Sequence, residues 1–237
     1  MATTLYIGSH FPMRYPTTFT QVPDDVSGRQ TAALLPTATY AGLWQEKGWV
    51  TVGGIYPNNA LVLGDVLDIS SKCVIIAATI NAKVYPTTLG FFLANTANMP
   101  STIRGFFIGS QDSTNFRIYL RDSGAASTLL YNDAALPIGV PVTIFICFDG
   151  QSRGFYYWRD GILLKGASNA WNNPAHAITC TPLTVGAAGN PQQGDMSGVY
   201  RIRDLCVAQL PSMPINLAQM AAAYSSAPGL GLIGAVF

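Results

Sequence analysis

The chain has 237 residues, 49% of them hydrophobic and only 11% charged, with 13 Lys and Arg against 12 Asp and Glu. Its 11 Phe, 11 Tyr and 4 Trp supply enough apolar area to offset chain entropy, which excludes an intrinsically disordered chain. A net charge of +1 exerts no long-range pull on phosphate, so nucleic-acid binding driven by bulk charge is excluded, and anion recognition must come from local Arg groups.

Residues 1–59 are rich in Thr, Pro and aromatics with little periodicity; strands are expected there only at 5–8 and 49–53, and residues 1–19 read as an N-terminal arm. From residue 60 onward, apolar or alternating runs at 73–81, 88–95, 105–110, 116–122, 128–132, 142–149, 154–160, 182–186 and 198–208 are punctuated by Gly, Asn, Asp and Pro. Many short strands at even spacing predict an all-β sandwich or barrel. With no internal repeat and no linker, one domain over 1–237 is expected.

Successive side chains of a strand point to opposite faces, so the runs also predict which face is covered. Val142 to Phe148 is apolar on both faces and should be a central strand. In the stretch from Phe116 to Arg121, Phe116, Ile118 and Leu120 form a core face, while Arg117, Tyr119 and Arg121 face water or a partner. Tyr200-Arg201-Ile202-Arg203 repeats the pattern, and the loss of register after Arg203 predicts a bulge. A short helix is expected over 214–224, with Pro214 in its first turn, a buried stripe of Leu217, Met220, Ala221 and Tyr224, and a stop at Pro228-Gly229. The uncharged tail 227–237 is expected to dock on its own domain or a neighbouring subunit. Its Gly229-Leu230-Gly231-Leu232-Ile233-Gly234 string is no dinucleotide site, because no helix follows it to receive a phosphate.

Cys73, Cys147, Cys180 and Cys206 are too widely spaced for a zinc or redox motif and read as buried thiols. The N-terminus has no basic start followed by an apolar stretch of secretory length, so no export leader is expected, and no transmembrane span is expected either.

Several segments together resemble the concanavalin A-like, laminin G-like jelly-roll family of lectins and glucanases. They are Asp25-Val26-Ser27-Gly28, the strand ending Phe148-Asp149-Gly150, Tyr157-Trp158-Arg159-Asp160-Gly161 followed by Ile162-Leu163-Leu164, Leu183-Thr184-Val185-Gly186, and Ser197 to Leu205 leading into the helix. The Asp-Gly pairs make physical sense, since a tight hairpin needs positive φ angles. The resemblance implies a two-sheet jelly-roll β-sandwich with one short C-terminal helix, of the non-catalytic type seen in phage structural proteins. Members use a sheet face or rim loops for glycans, for protein partners or for glycan cleavage. Their calcium sites draw on rim-loop Asp and Asn, for which Asp112, Asn115 and Asp195 are the available residues; nothing like a dense acidic loop is present, and no metal or cofactor is expected.

Retaining cleavage of a glycoside needs two carboxylates about 5 Å apart, in glucanases typically Glu-x-Asp-x-Glu on one strand. Glu46 is the only Glu in the chain, and no strand carries Asp at i and i+2. The two histidines, His10 and His176, accompany no nucleophile elbow. A non-enzyme is therefore expected, with a glycan-active hydrolase or lyase as the less favoured alternative.

The candidate binding residues are Arg117, Tyr119 and Arg121, with Tyr157 and Arg159, and Arg201 and Arg203, expected on similar outward faces. The chain has nine Arg and only four Lys, and Arg is favoured where planar, multidentate contacts to sugars or partners are made. The expected function is a structural or adhesive sandwich, a bacteriophage capsid decoration or tail protein localised to the virion. It would form a homo-oligomer or contact other virion proteins, and bind a glycan or receptor. The alternative is a free-standing lectin in the bacterial cytoplasm or exported without a signal.

Overall fold

A computed structural model describes residues 9–12, 21–23, 30–35, 44–45, 49–52, 60–63, 67, 69–83, 90–94, 105–112, 114–123, 126–171, 184–185 and 200–228. Its early strands are β1 (Ser9–Pro12), β2 (Gln21–Pro23), β3 (Gln30–Leu35), β4 (Trp44–Gln45), β5 (Trp49–Val52) and β6 (Ala60–Leu63). The middle of the chain gives β7 (Cys73–Ala82), β8 (Gly90–Ala94), β9 (Gly105–Asp112), β10 (Asn115–Ser123) and β11 (Ala126–Ala134). Then follow β12 (Pro141–Asp149), β13 (Gly154–Arg159), β14 (Ile162–Ala167), β15 (Thr184–Val185), β16 (Tyr200–Leu210) and the helix α1 (Leu217–Ser226). Two eight-stranded sheets result. The first has the order β14-β13-β12-β7-β16-β5-β4, with β1 also on β16; the second has the order β11-β10-β9-β8-β15-β6-β3-β2. Every strand pairing within them is antiparallel, and the expected jelly-roll β-sandwich with one short helix is the observed fold.

Strand alternation builds the layers. Val74, Ile76, Ala78 and Ile80 of β7, Ile144, Ile146 and Phe148 of β12, and Phe116, Ile118 and Leu120 of β10 meet in one core between the sheets. Phe148 stacks on Phe106 of the facing sheet with ring centroids 4.8 Å apart, so this aromatic pair bridges the layers, and within its own sheet Phe148 meets Phe155 at 5.7 Å. β12 lies between β13 and β7, as its two apolar faces predict. Its other face, Phe145 and Cys147, joins Cys73, Ile75, Ala77 and Trp158 in a second apolar layer outside the first sheet, and α1 covers it with Leu217, Met220, Ala221 and Tyr224. Those four are the stripe read from sequence. Burying large side chains such as Leu217, Met220 and Tyr224 contributes roughly 1.5–3 kcal/mol each. The helix begins at Leu217 rather than Pro214: Asn216 takes the N-cap position without a side-chain cap bond, and its carbonyl accepts the first helical bond from Met220 at 3.0 Å. The register of β16 against β7 slips between Ile202 and Asp204, which is the predicted bulge.

Strands β1 to β4 and β6 were not expected. At two to six residues they offer too little alternation to register in the sequence, and neighbouring strands rather than local pattern define them. The expected strand at 5–8, the 25–28 turn, Cys180 and the tail beyond Pro228 lie outside the described residues.

Two turns show the sequence logic directly. Asp160 (φ 51°) and Gly161 (φ 77°) form the two-residue hairpin between β13 and β14, and Asp160 Oδ1 accepts the Thr143 amide at 2.8 Å. At Gly150, which follows β12, a Cβ would lie 2.7 Å from the Ile69 carbonyl oxygen and 2.8 Å from the backbone of Ser70 and Ser71. Gly150→Ala is therefore expected to lower unfolding free energy by about 1–3 kcal/mol through overpacking against backbone. Urea denaturation measures this, and an unchanged midpoint contradicts it.

Candidate functional site

The core assignment of Phe116, Ile118 and Leu120 turns Arg117 and Tyr119 onto the outer face of the second sheet. Cross-strand register then assembles a row. Ala94 on β8 sits opposite Phe107 on β9, Phe107 opposite Tyr119 on β10, and Tyr119 opposite Leu129 on β11. The rings of Phe107 and Tyr119 stack with centroids 4.5 Å apart and planes at 22°. Phe107 is buried, Tyr119 half-buried, and Leu129 is 47% exposed. In the adjacent row Arg117 lies between Gly109 and Asn132. Its Nε donates to Asn132 Oδ1 at 2.8 Å and its Nη1 to the Tyr119 hydroxyl at 3.2 Å, while Asn132 Nδ2 donates to Asn115 Oδ1 at 2.9 Å.

The result is a guanidinium held in one plane beside a stacked aromatic pair, next to strand positions Gly105 and Gly109 that carry no side chain. A fixed planar donor and an aromatic face together suit a hydroxyl-rich ring, which hydrogen-bonds at its rim and stacks through its C–H face. Arg121 occupies the next position of this strand face, opposite Gly105; its side chain lies outside those described. Phe107, Asn132 and Leu129 were not singled out from sequence. The signal for Phe107 was present, because in Gly105-Phe106-Phe107-Ile108-Gly109 it is the one side chain between two glycines on the outer face.

The structure does not bring the other candidates here. Tyr157 is a core residue rather than an outward one, fully buried and in ring contact with Tyr131 at 5.4 Å. The parity of β13 is decided by α1, which covers Trp158 with Tyr156 packed alongside, so Phe155 and Tyr157 turn inward. Arg159 follows Tyr157 at the flank of the sandwich, where both converge on Asp133 of β11. Asp133 Oδ2 accepts the Tyr157 hydroxyl at 3.0 Å and Arg159 Nη1 at 2.8 Å, and Oδ1 accepts the Ala134 amide at 2.8 Å. Burial, the Asp133 charge and the bond to it hold the Tyr157 hydroxyl well above its ordinary range, against the opposing pull of Arg159. This trio clasps the two sheets. Arg201 and Arg203 belong to a third place, the first sheet. Tyr200 and Ile202 enter the core, so Arg201 faces outward, and Arg203 stands at the bulge with Nε 3.8 Å from Asp204.

Cys73, Cys147 and Cys206 are buried thiols, as expected. Cys73 and Cys147 lie with Sγ atoms 3.4 Å apart beneath α1. The bond to Cys73 and burial push the Cys147 thiol well above its usual range, which disfavours the thiolate. Among the described residues no group of three or more His, Cys, Asp or Glu is placed to hold a metal, and Asn115, one of the rim residues considered for calcium, is bonded to Asn132. No described helix is long and apolar enough to cross a membrane.

No protein-family model matches the chain, and no curated protein matches it. Solved structures do. The chain is similar to the binding domain of botulinum neurotoxin serotype G, with a TM-score of 0.66 and 13% identity over 93% of this chain and 51% of that one. It is similar to Trypanosoma rangeli sialidase, solved as a covalent intermediate with 2,3-difluorosialic acid, with a TM-score of 0.65 and 10% identity over 92% of this chain and 32% of that one. A botulinum neurotoxin type C structure, titled for cell entry dependent on interaction with two ganglioside molecules, gives a TM-score of 0.59 and 11% identity over 92% and 50%. The chain thus spans about half of the neurotoxin chains and about a third of the sialidase chain, and at these identities the likeness establishes the shared β-sandwich fold.

Proposed function

We propose that this chain is a non-enzymatic adhesive β-sandwich that binds glycan through the outer face of its second sheet. The observation that carries the reading is the Arg117 guanidinium, fixed by Asn132 and by the hydroxyl of Tyr119, whose ring is stacked on Phe107. Support comes from structures of the same fold whose titles name sialic acid derivatives and gangliosides. The non-catalytic part of the reading rests on carboxylates with other work. Glu46 is the only Glu, Asp133 serves Tyr157 and Arg159, and Asp149 accepts from Ser152 and the Gln151 amide. Incubation with sialylated and neutral oligosaccharides is expected to release no product.

On a glycan array the wild-type chain is expected to bind a defined subset of sugars. Tyr119→Ala and Arg117→Ala should each weaken that binding by tenfold or more while leaving the far-ultraviolet circular dichroism unchanged. Undiminished binding by both variants would remove this face from the reading. The setting we propose is a virion surface, with the chain assembled as a homo-oligomer. The support is a charged fraction of 11%, low for a surface facing only water and suited to one covered by neighbours. A strictly monomeric species at high concentration in analytical ultracentrifugation would count against that setting.

A further inference from the structure

A different face of the molecule holds a guanidinium with one buried nitrogen that has no partner among the described residues. Among the described residues, Nε of Arg201 is the one buried side-chain nitrogen or oxygen with no hydrogen-bond partner. Buried polar groups in native proteins are overwhelmingly paired with protein, water or a bound ion, and leaving a charged one unpaired is costlier than leaving a neutral one. Arg201 is half-buried on the outer side of the first sheet, opposite Asn81 on β7 and Thr51 on β5.

The described surroundings show why no described residue serves it. Helix α1 covers the apolar part of this side, from Cys73 to Ala77, and its Tyr224 hydroxyl reaches Thr79 Oγ1 at 3.4 Å. Beyond Thr79 the sheet surface turns polar. Thr143 is bonded to Asp160 and to Ser225 of the helix, at 3.3 Å and 3.1 Å. Asp204 is the nearby carboxylate, but the bulge sets Arg203 between it and Arg201 in sequence and places Arg203 Nε 3.8 Å from it. Among the described residues Asp204 is thus next to Arg203, which at 57% exposure also has water.

We propose that Arg201, with the Asn81 amide beside it, is an oxyanion-binding site that takes a carboxylate or sulfate group. A guanidinium presents parallel N–H donors matched to a planar two-oxygen acceptor, and partial burial strengthens that pairing relative to bulk water. Acidic sugars and free inorganic anions share this chemistry. The site is independent of the Arg117 face and does not rest on the glycan reading given for it.

The test uses the full chain carrying Arg117→Ala and Tyr119→Ala, which removes both anchoring side chains of the other face, and titrates sodium sulfate, sodium acetate, 3′-sialyllactose and neutral lactose in a thermal-shift assay at constant ionic strength. A saturable rise in Tm with sulfate, acetate or sialyllactose, absent with lactose, is expected. Arg201→Gln should abolish it, and Arg201→Lys, which keeps the charge but loses the fork, should weaken it by about tenfold, or 1.4 kcal/mol. Arg203→Gln should retain it. A response to sialyllactose alone assigns the site to acidic sugar, and a response to sulfate or acetate as well assigns it to free oxyanions. Arg201→Gln without ligand should be no less stable than its parent, which a merely structural arginine would not permit. No saturable response to any of the three anions, an equal response to lactose, or a response that survives Arg201→Gln overturns the proposal.

Discussion

Replacing Asp133 with alanine is expected to lower the unfolding free energy by about 3 kcal/mol while leaving sugar binding at Tyr119 unchanged. The carboxylate accepts two side-chain bonds at once, from Tyr157 inside the core and from Arg159 at its rim, so its removal strands a fully buried hydroxyl and a mostly buried cation. Breaking a buried pair from one side costs about 3–5 kcal/mol, and the 28% exposure of Arg159 puts this case at the lower end because water can reach the freed guanidinium. Urea denaturation reads the stability and the glycan array reads the function. Stability unchanged within about 0.5 kcal/mol would show that the clasp does not hold the sheets. Lost glycan binding in a folded variant would return Arg159 and Tyr157 to the list of binding residues.

Alkaline pH is expected to unfold the protein steeply. Burial holds the Tyr200 hydroxyl up to about 12, and pushes those of Tyr157 and Tyr224 well above their ordinary range. An unfolded-state tyrosine ionises near pH 10 while these three stay protonated in the folded protein. Their stabilising contribution is thus complete below about pH 10 and drains away as pH rises toward the folded-state values. Each contributes a slope of about 1.4 kcal/mol per pH unit, so three together give about 4 kcal/mol per unit above pH 10. Urea midpoints at pH 9, 10, 11 and 11.5 measure the slope. Tyr200→Phe should reduce it by about a third, and a midpoint flat to pH 11 would contradict the burial of all three hydroxyls.

How much of the candidate site was legible depends on whether a strand had one apolar face or two. In β10 the inward Phe116, Ile118 and Leu120 left no ambiguity, so Arg117 and Tyr119 were placed outward from sequence, and the structure puts them there. In β13 both faces are aromatic. Phe155 and Tyr157 compete with Tyr156 and Trp158 for the core, and local pattern cannot choose between them. The choice is made by a helix some sixty residues later in the chain, which needs an apolar surface to lie on and finds it at Trp158 and Phe145. Tyr157 was therefore read as outward and is in fact at the centre. The partners of Arg117 were missed for a related reason: Asn132 and Phe107 lie on other strands, and only register brings them to it.

By itself, the sequence determined the class of fold, the central position of β12, the Asp160-Gly161 hairpin, the bulge in β16 and the buried stripe of α1. Each of these is set by steric and hydrophobic preferences among residues close in the chain. Only the tertiary structure decided which sheet each candidate arginine belongs to, that Arg117 is pinned beside Tyr119, that Arg159 is tied to Asp133, and that Nε of Arg201 has no partner among the described residues. Those outcomes depend on strand order and cross-sheet contacts, and side-chain alternation within a single strand carries no information about what lies across the gap.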